Sequence, residues 1–157
     1  MNIIYMHHAE RDIKNNNPEL KQFDDITARG IQEAELLAEK FKTRNITAIV
    51  TSPYLRCKHT AEIINKYHNS KIIEDERFNE MNPGEEWEDL LKRNMAAIDS
   101  IINSYQDDDT IICITSGVNF SAFVCYFYNI TPTNDIPWSQ AGAISPIIFT
   151  KGKKMLD

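Results

Sequence analysis

Ile3-Ile4-Tyr5-Met6-His7-His8-Ala9-Glu10 is a short apolar run that stops at two adjacent histidines and a carboxylate. It reads as a buried strand, and in open α/β sheets the carboxyl ends of the strands form the edge where ligands bind. His8, delivered to that edge, is therefore a candidate nucleophile. A hydrogen-bonded core histidine would explain the run alone equally well. The second element is Ala48-Ile49-Val50-Thr51, another strand-like run, which ends in Ser52-Pro53-Tyr54-Leu55-Arg56 and hands over to a helical pattern. Arg56 is then placed to anchor an anion in the same pocket.

The remaining segments alternate in kind. Arg11 to Asp25 is polar and carries Asn15-Asn16-Asn17-Pro18, which predicts a loop over the pocket mouth. Thr27 is a candidate cap for a helix bearing Ala34, Leu37, Ala38 and Phe41 at helical spacing. A helix through Thr60, Ala61, Ile63, Ile64 and Tyr67 follows the second strand, and Lys71 to Glu74 reads as an edge strand. Leu90, Leu91, Met95, Ile98, Ile101 and Ile102 mark a long amphipathic helix over Glu86 to Tyr105. Thr110 to Thr115 is the strongest parallel-strand candidate, with its end expected to face His8. The aromatic segment Asn119 to Tyr128 reads as a packed helix rather than a base-stacking platform. Pro132 to Gly142, with Trp138, predicts a second loop at the pocket, before a last strand over Ser145 to Thr150. These elements predict one α/β domain over residues 1–157, three layers α/β/α with a mostly parallel central sheet.

Composition removes several function classes. At 157 residues the chain suits one domain with a real core. A net charge of -6 argues against a broad nucleic-acid footprint, which needs a basic face, so an anionic ligand would require a local positive pocket. No leader pattern or membrane-length apolar run is visible, and a cytoplasmic location is expected. Cys57, Cys113 and Cys125 cannot all pair within one chain and lack metal-ligand spacing. Only Cys57, next to Arg56, has the electropositive neighbour that an activated thiol needs, and burial as core filler is the ordinary alternative. His7, His8 and Glu10 make a poor metal set, because adjacent histidines on a strand rarely chelate one ion; no metal and no cofactor are expected.

Ser52, Pro53, Arg56, Thr60 and Ala61 together resemble the Ser-Pro-x-x-Arg-x-x-x-Thr-Ala segment of the histidine phosphatase superfamily, also called phosphoglycerate mutase-like. The family's Arg-His-Gly triplet is altered here, with His7 and Ala9 flanking the retained His8. Ile26-Thr27 with Gly30 resembles its Leu-Thr-x-x-Gly-x-x-Gln segment, with Gln32 one position short of that spacing, although a plain capped helix needs no more than these residues. Arg77-Phe78-Asn79-Glu80 resembles the Arg-Leu-Asn-Glu segment that carries an acid in mutase-like members. Where the family places a second histidine, Thr115-Ser116-Gly117 has Ser116.

The resemblance implies that a neutral His8 attacks a phosphoryl group and water then releases phosphate from the phosphohistidine. Catalysis falls to His8 and Glu80, and phosphate binding to Arg56, His7 and Ser116. Glu10, nearer to His8 in sequence, is an alternative carboxylate that orients an imidazole or faces solvent. A serine offers a neutral hydrogen bond but no charge. Losing an Arg and a His donor removes roughly 3–6 kcal/mol, about two to four orders of magnitude in rate. The expected function is a slow phosphatase for a phosphomonoester or phosphohistidine, with a small phosphorylated molecule or a phosphoprotein as partner and neither nucleic acid nor membrane. The alternative is an inactive phosphate-binding or protein-interaction pseudoenzyme of the same fold. A serine hydrolase built on Ser116 lacks the Gly-x-Ser-x-Gly elbow, and mutase transfer lacks the first Arg and second His.

Overall fold

The successive side chains of β1 (Asn2–His7) go to two different cores. Ile4 and Met6 join Ala34, Leu37 and Phe41 of α1 (Ala28–Phe41) and Cys57, Ala61 and Ile64 of α2 (Leu55–Ile64). Ile3 and Tyr5 pack with Ala97, Ile98 and Ile101 of α3 (Trp87–Ser104) and Phe123 of α4 (Gly117–Tyr128). β2 (Ala48–Thr51) and β4 (Thr110–Thr115) divide in the same way: Ile49, Ile112 and Ile114 face one helix layer, Val50, Ile111 and Cys113 the other. Period-two alternation in strands that are buried on both faces thus produces the three layers.

The computed structural model describes residues 1–15, 17–130, 146–150 and 153–154. With β3 (Lys71–Glu74), β5 (Ile147–Thr150) and β6 (Lys153–Lys154), the sheet has the order β3-β2-β4-β1-β5-β6. β1 to β4 run parallel, and β5 and β6 are antiparallel additions at one side, so the sheet is mixed and mostly parallel as expected. The strand expected over Ser145 to Thr150 is described as β5 over Ile147–Thr150, with β6 following it, and the long helix is one residue shorter at each end than its apolar pattern suggested. The expected loop Pro132 to Gly142, with Trp138, lies outside the described residues.

Chain order positions the site. The chain leaves β1 for the α1/α2 layer and leaves β4 for the α3/α4 layer, although the two strands are neighbours. This is the switch point at which an α/β sheet opens a crevice. His7 pairs in register with Thr115, and the next residue, His8, donates its backbone N–H to the Thr115 carbonyl at 2.9 Å.

The described residues between Arg11 and Asp25 are irregular apart from a bridge from Arg11 to Ile26 and a 3-10 turn at Lys21–Phe23. Arg11 ties it back through Asp24, with Nε and Nη2 donating to Oδ2 at 2.9 and 2.6 Å. Thr27 caps α1 by accepting from the Gly30 N–H at 2.9 Å. Gly30 is required for a separate reason: a Cβ there would lie 2.6 Å from the carbonyl oxygen of Glu10, so the backbone after His8 can approach α1 only if this side chain is absent.

Candidate active site

His8 and Arg56 meet at the carboxyl edge of the sheet. The His8 Nδ1 lies 2.6 Å from the Ala9 carbonyl, which can only accept, so Nδ1 carries the proton. Nε2 therefore presents its lone pair, and it accepts from Arg56 Nε at 3.1 Å. Burial first, and the Arg56 charge second, pull the imidazole's pKa from its usual value down to about 3. The ring is neutral across the physiological range, with its basic nitrogen facing the guanidinium.

α2 explains why Arg56 and Thr60 are four residues apart. That spacing puts both on one helix face, where Arg56 reaches the His8 ring and Thr60 Oγ1 accepts from the Ala9 N–H at 3.1 Å. Thr60 in turn donates to the Arg56 carbonyl at 2.7 Å, and Ala61 is core. The helix thus holds both the imidazole and the backbone that sets its tautomer. Arg56 is fully buried and its cation lies 4.9 Å from the Tyr54 ring centroid. Two further donors are used: Nη1 to the Lys21 carbonyl at 2.8 Å, and Nη2 to Glu80 Oε2 at 2.5 Å.

Glu80 is brought to Arg56 by a braced loop. Ser52 Oγ donates to Asn79 Oδ1 at 2.7 Å, coupling the end of β2 to the residue before Glu80. Arg93 on α3 collects the carbonyls of Arg77 at 2.6 Å, Asn79 at 2.7 Å and Glu80 at 3.3 Å, and pairs with Glu85. The second Glu80 oxygen accepts from Lys21 Nζ at 2.9 Å. Glu80 therefore bridges two cations, one of which touches His8.

His7 and Ser116 behave differently. His7 remains on the α3/α4 face, its ring centroid 5.5 Å from Phe120 and 6.1 Å from His8, and its Nδ1 is 2.7 Å from the His8 carbonyl. Burial lowers its pKa, which opposes a permanent positive charge there. Ser116 caps α4, accepting from the Asn119 N–H at 3.3 Å and donating to Asn119 Oδ1 at 2.8 Å. Asn119 Nδ2 reaches the carbonyls of Phe78 and Asn79 at 3.2 and 2.8 Å, which adds Ser116 to the bracing of the Glu80 loop.

Glu10 does not contact His8; it accepts from Thr27 Oγ1 at 2.8 Å and lies 3.7 Å from Arg29. Cys57 is buried and its thiol is pushed up to about 12 by that burial, which makes it core filler despite the adjacent Arg56. Among the described residues no group of three or more His, Cys, Asp or Glu could hold a metal ion, and no helix is long and apolar enough to cross a membrane.

Lys21 and Arg93 were not among the residues singled out from the sequence. Lys21 lies in an irregular loop whose approach to Glu80 spans 59 positions of sequence. Arg93 carried one faint signal: it precedes Asn94, a polar residue inside the apolar stripe of α3 and buried there.

A family model for the histidine phosphatase superfamily (branch 1) matches residues 8–90. The probable phosphoglycerate mutase GpmB of Photorhabdus laumondii is 36% identical over 75 residues, covering 48% of this chain and 33% of that protein. The chain spans about a third or less of the length of the curated relatives it matches. Among solved structures, YhfR of Bacillus stearothermophilus superposes with a TM-score of 0.81 at 20% identity, covering 99% of this chain and 94% of that one. The protein histidine phosphatase SixA complexed with tungstate gives a TM-score of 0.71 at 17% identity, covering 100% and 94%. The structural likenesses concern the fold, and the matched segment contains His8, Arg56 and Glu80 and exceeds half of the sequence. On that match the chain belongs to the histidine phosphatase superfamily, branch 1.

Proposed function

We propose that the protein is a phosphatase of the histidine phosphatase type, hydrolysing a phosphomonoester or a phosphohistidine through a phosphohistidine at His8. The observation that carries the reading is the His8 tautomer: Nδ1 on the Ala9 carbonyl, Nε2 unprotonated beside Arg56. A nucleophilic imidazole must be neutral and aimed, and burial with the Arg56 charge keeps it so.

In the first step the Nε2 lone pair forms a bond to phosphorus and the bond from phosphorus to the leaving atom breaks. Arg56 transfers its hydrogen bonds from His8 and Glu80 to the phosphoryl oxygens, and Glu80, which takes up a proton from solvent as the substrate displaces its carboxylate from the cations, gives that proton to the leaving atom. In the second step water attacks the phosphohistidine, Glu80 takes its proton, the N–P bond breaks, and His8 returns with free phosphate. Neither His7, whose pKa burial lowers, nor the neutral hydroxyl of Ser116 supplies a fixed positive charge, which supports a reduced rate. A phosphate contact from Ser116 would require its hydroxyl to turn from Asn119.

That same pair of substitutions favours a second reading, a phosphate-binding or protein-interaction module without turnover. One comparison separates the two: wild type and His8→Ala assayed between pH 5 and 8 on a panel of phosphomonoesters and phosphohistidine peptides. The phosphatase reading expects slow turnover in the wild type, lost in the variant, with a phosphoryl adduct trapped on His8. Equal inactivity of both proteins overturns it, and saturable phosphate-ester binding without turnover supports the module.

A further inference from the structure

Three charged groups, Arg56, Glu80 and Lys21, are linked in a chain that begins at His8 Nε2, and the least expected of them is Lys21. Its side chain is only 16% exposed, and its Nζ sits 2.9 Å from Glu80 Oε1 and 3.5 Å from the Met81 carbonyl. Its own carbonyl accepts from Arg56 Nη1 at 2.8 Å, so the backbone that carries this lysine is tied to the guanidinium that touches His8. Glu80 holds one oxygen toward each cation, at 2.5 Å from Arg56 Nη2 and 2.9 Å from Lys21 Nζ. The geometry is that of an oxyanion gripped from two sides, with the carboxylate in the place of the anion.

We propose that Lys21 is the second phosphate-binding cation of this site, taking up a phosphoryl oxygen opposite Arg56 when the substrate displaces the Glu80 carboxylate. The inference rests on the phosphoryl-binding reading of the pocket but assigns a residue that no motif marks. Electrostatics supports it. With His7 buried and its ring held toward the neutral form, Arg56 is the one described cation hydrogen-bonded to His8, a single guanidinium against a phosphoryl dianion. Lys21 brings the charge to two positive groups, and its flexible four-carbon stem with three rotatable donors can follow the anion as Glu80 moves to the leaving group. A surface salt bridge that only ties down the loop would not need burial or a shared partner with the guanidinium.

The test is orthophosphate affinity, measured by calorimetry and as competitive inhibition where turnover is seen, in wild type, Lys21→Met, Lys21→Gln and Lys21→Arg. Thermal unfolding without phosphate serves as the fold control, and the two neutral variants guard against one of them folding poorly. Both are expected to weaken orthophosphate binding by about 10- to 100-fold, the span of one charged hydrogen bond, while Lys21→Arg stays within about threefold of wild type. Unchanged affinity in the neutral variants, or equal weakening in Lys21→Arg, overturns the proposal. So does a wild type that does not bind orthophosphate. A wild type that binds orthophosphate without turning over any ester removes the phosphatase reading and leaves the affinity series to decide on Lys21.

Discussion

Two corners at the same edge of the sheet, where β2 passes into α2 and where β4 passes into α4, have opposite fates. At the first, Arg56 projects from the opening turn of its helix and touches His8, Glu80 and the Lys21 carbonyl. At the second, Ser116 turns back onto its own helix, and Asn119 reaches away to the Phe78 and Asn79 carbonyls. One corner places its cation on His8; the other holds the loop that brings Glu80 to that cation. A strand-turn-helix corner without a charged group can still brace the candidate site, because the helix cap and its amide act as struts.

The sharpest way to break this contrast is to weaken each corner in turn. Arg56→Lys keeps the charge but cannot span three partners, and kcat/KM is expected to fall about 100- to 1000-fold. Ser116→Ala is expected to cost about 1 kcal/mol of stability, roughly 2–4 °C in Tm, with about a threefold loss of activity through the loop. Comparable kinetic losses in the two variants would mean that Ser116 works directly on the phosphoryl group. Phosphatase kinetics and thermal melts on the same preparations give both readings.

A smaller change should sharpen the contrast by making the second corner face the ligand. His7→Arg combined with Ser116→His is expected to raise kcat/KM about 10- to 100-fold. That is less than two added charged donors would give in the open, because His7 is buried beside Phe120 and the Ser116 cap is lost. No gain in steady-state kinetics would show that the fold beneath these positions no longer fits the charged pair.

The contrast also has a readout without kinetics, stability against pH. The folded-state pKa of His8 lies near 3, and an unfolded imidazole titrates near 6.5, so between these values the unfolded chain binds the extra proton. Stability contributed by the neutral ring is complete above about pH 6.5 and is lost as pH falls toward 3. Burial of His7 acts in the same direction. Thermal melts from pH 7 to pH 4 should show Tm falling, and His8→Gln should flatten that slope by about one proton. An unchanged slope would mean that His8 is charged in the folded protein.

Much of the architecture was legible because it depends on periodicity and short spacing. The apolar runs at Ile3 to Met6 and Thr110 to Thr115 announce strands buried on both faces, and Arg56 with Thr60 is an i, i+4 pair whose shared face follows from helix geometry. The candidate site was legible only in part. His8 and Arg56 lie 48 positions apart, and their meeting needs β1 and β2 to flank β4, a topological fact. Arg93 and Lys21 were missed because their partners are loop carbonyls and two loop carboxylates, Glu85 and Glu80, groups that carry no local pattern. His7 shows the same division: strand alternation anticipates its opposite face, whereas the lowering of its pKa depends on what packs around it.

The amino-acid sequence by itself determined the layer order of strands and helices, the imidazole at the end of the first strand and the arginine one turn into the second helix. These follow from local backbone geometry and from burial of apolar residues at fixed periods. Only the tertiary structure decided which nitrogen of His8 is free, that Glu80 lies between two cations, and that one of them is Lys21. Those properties arise from desolvation and from charges brought together across long stretches of chain, which no local pattern encodes.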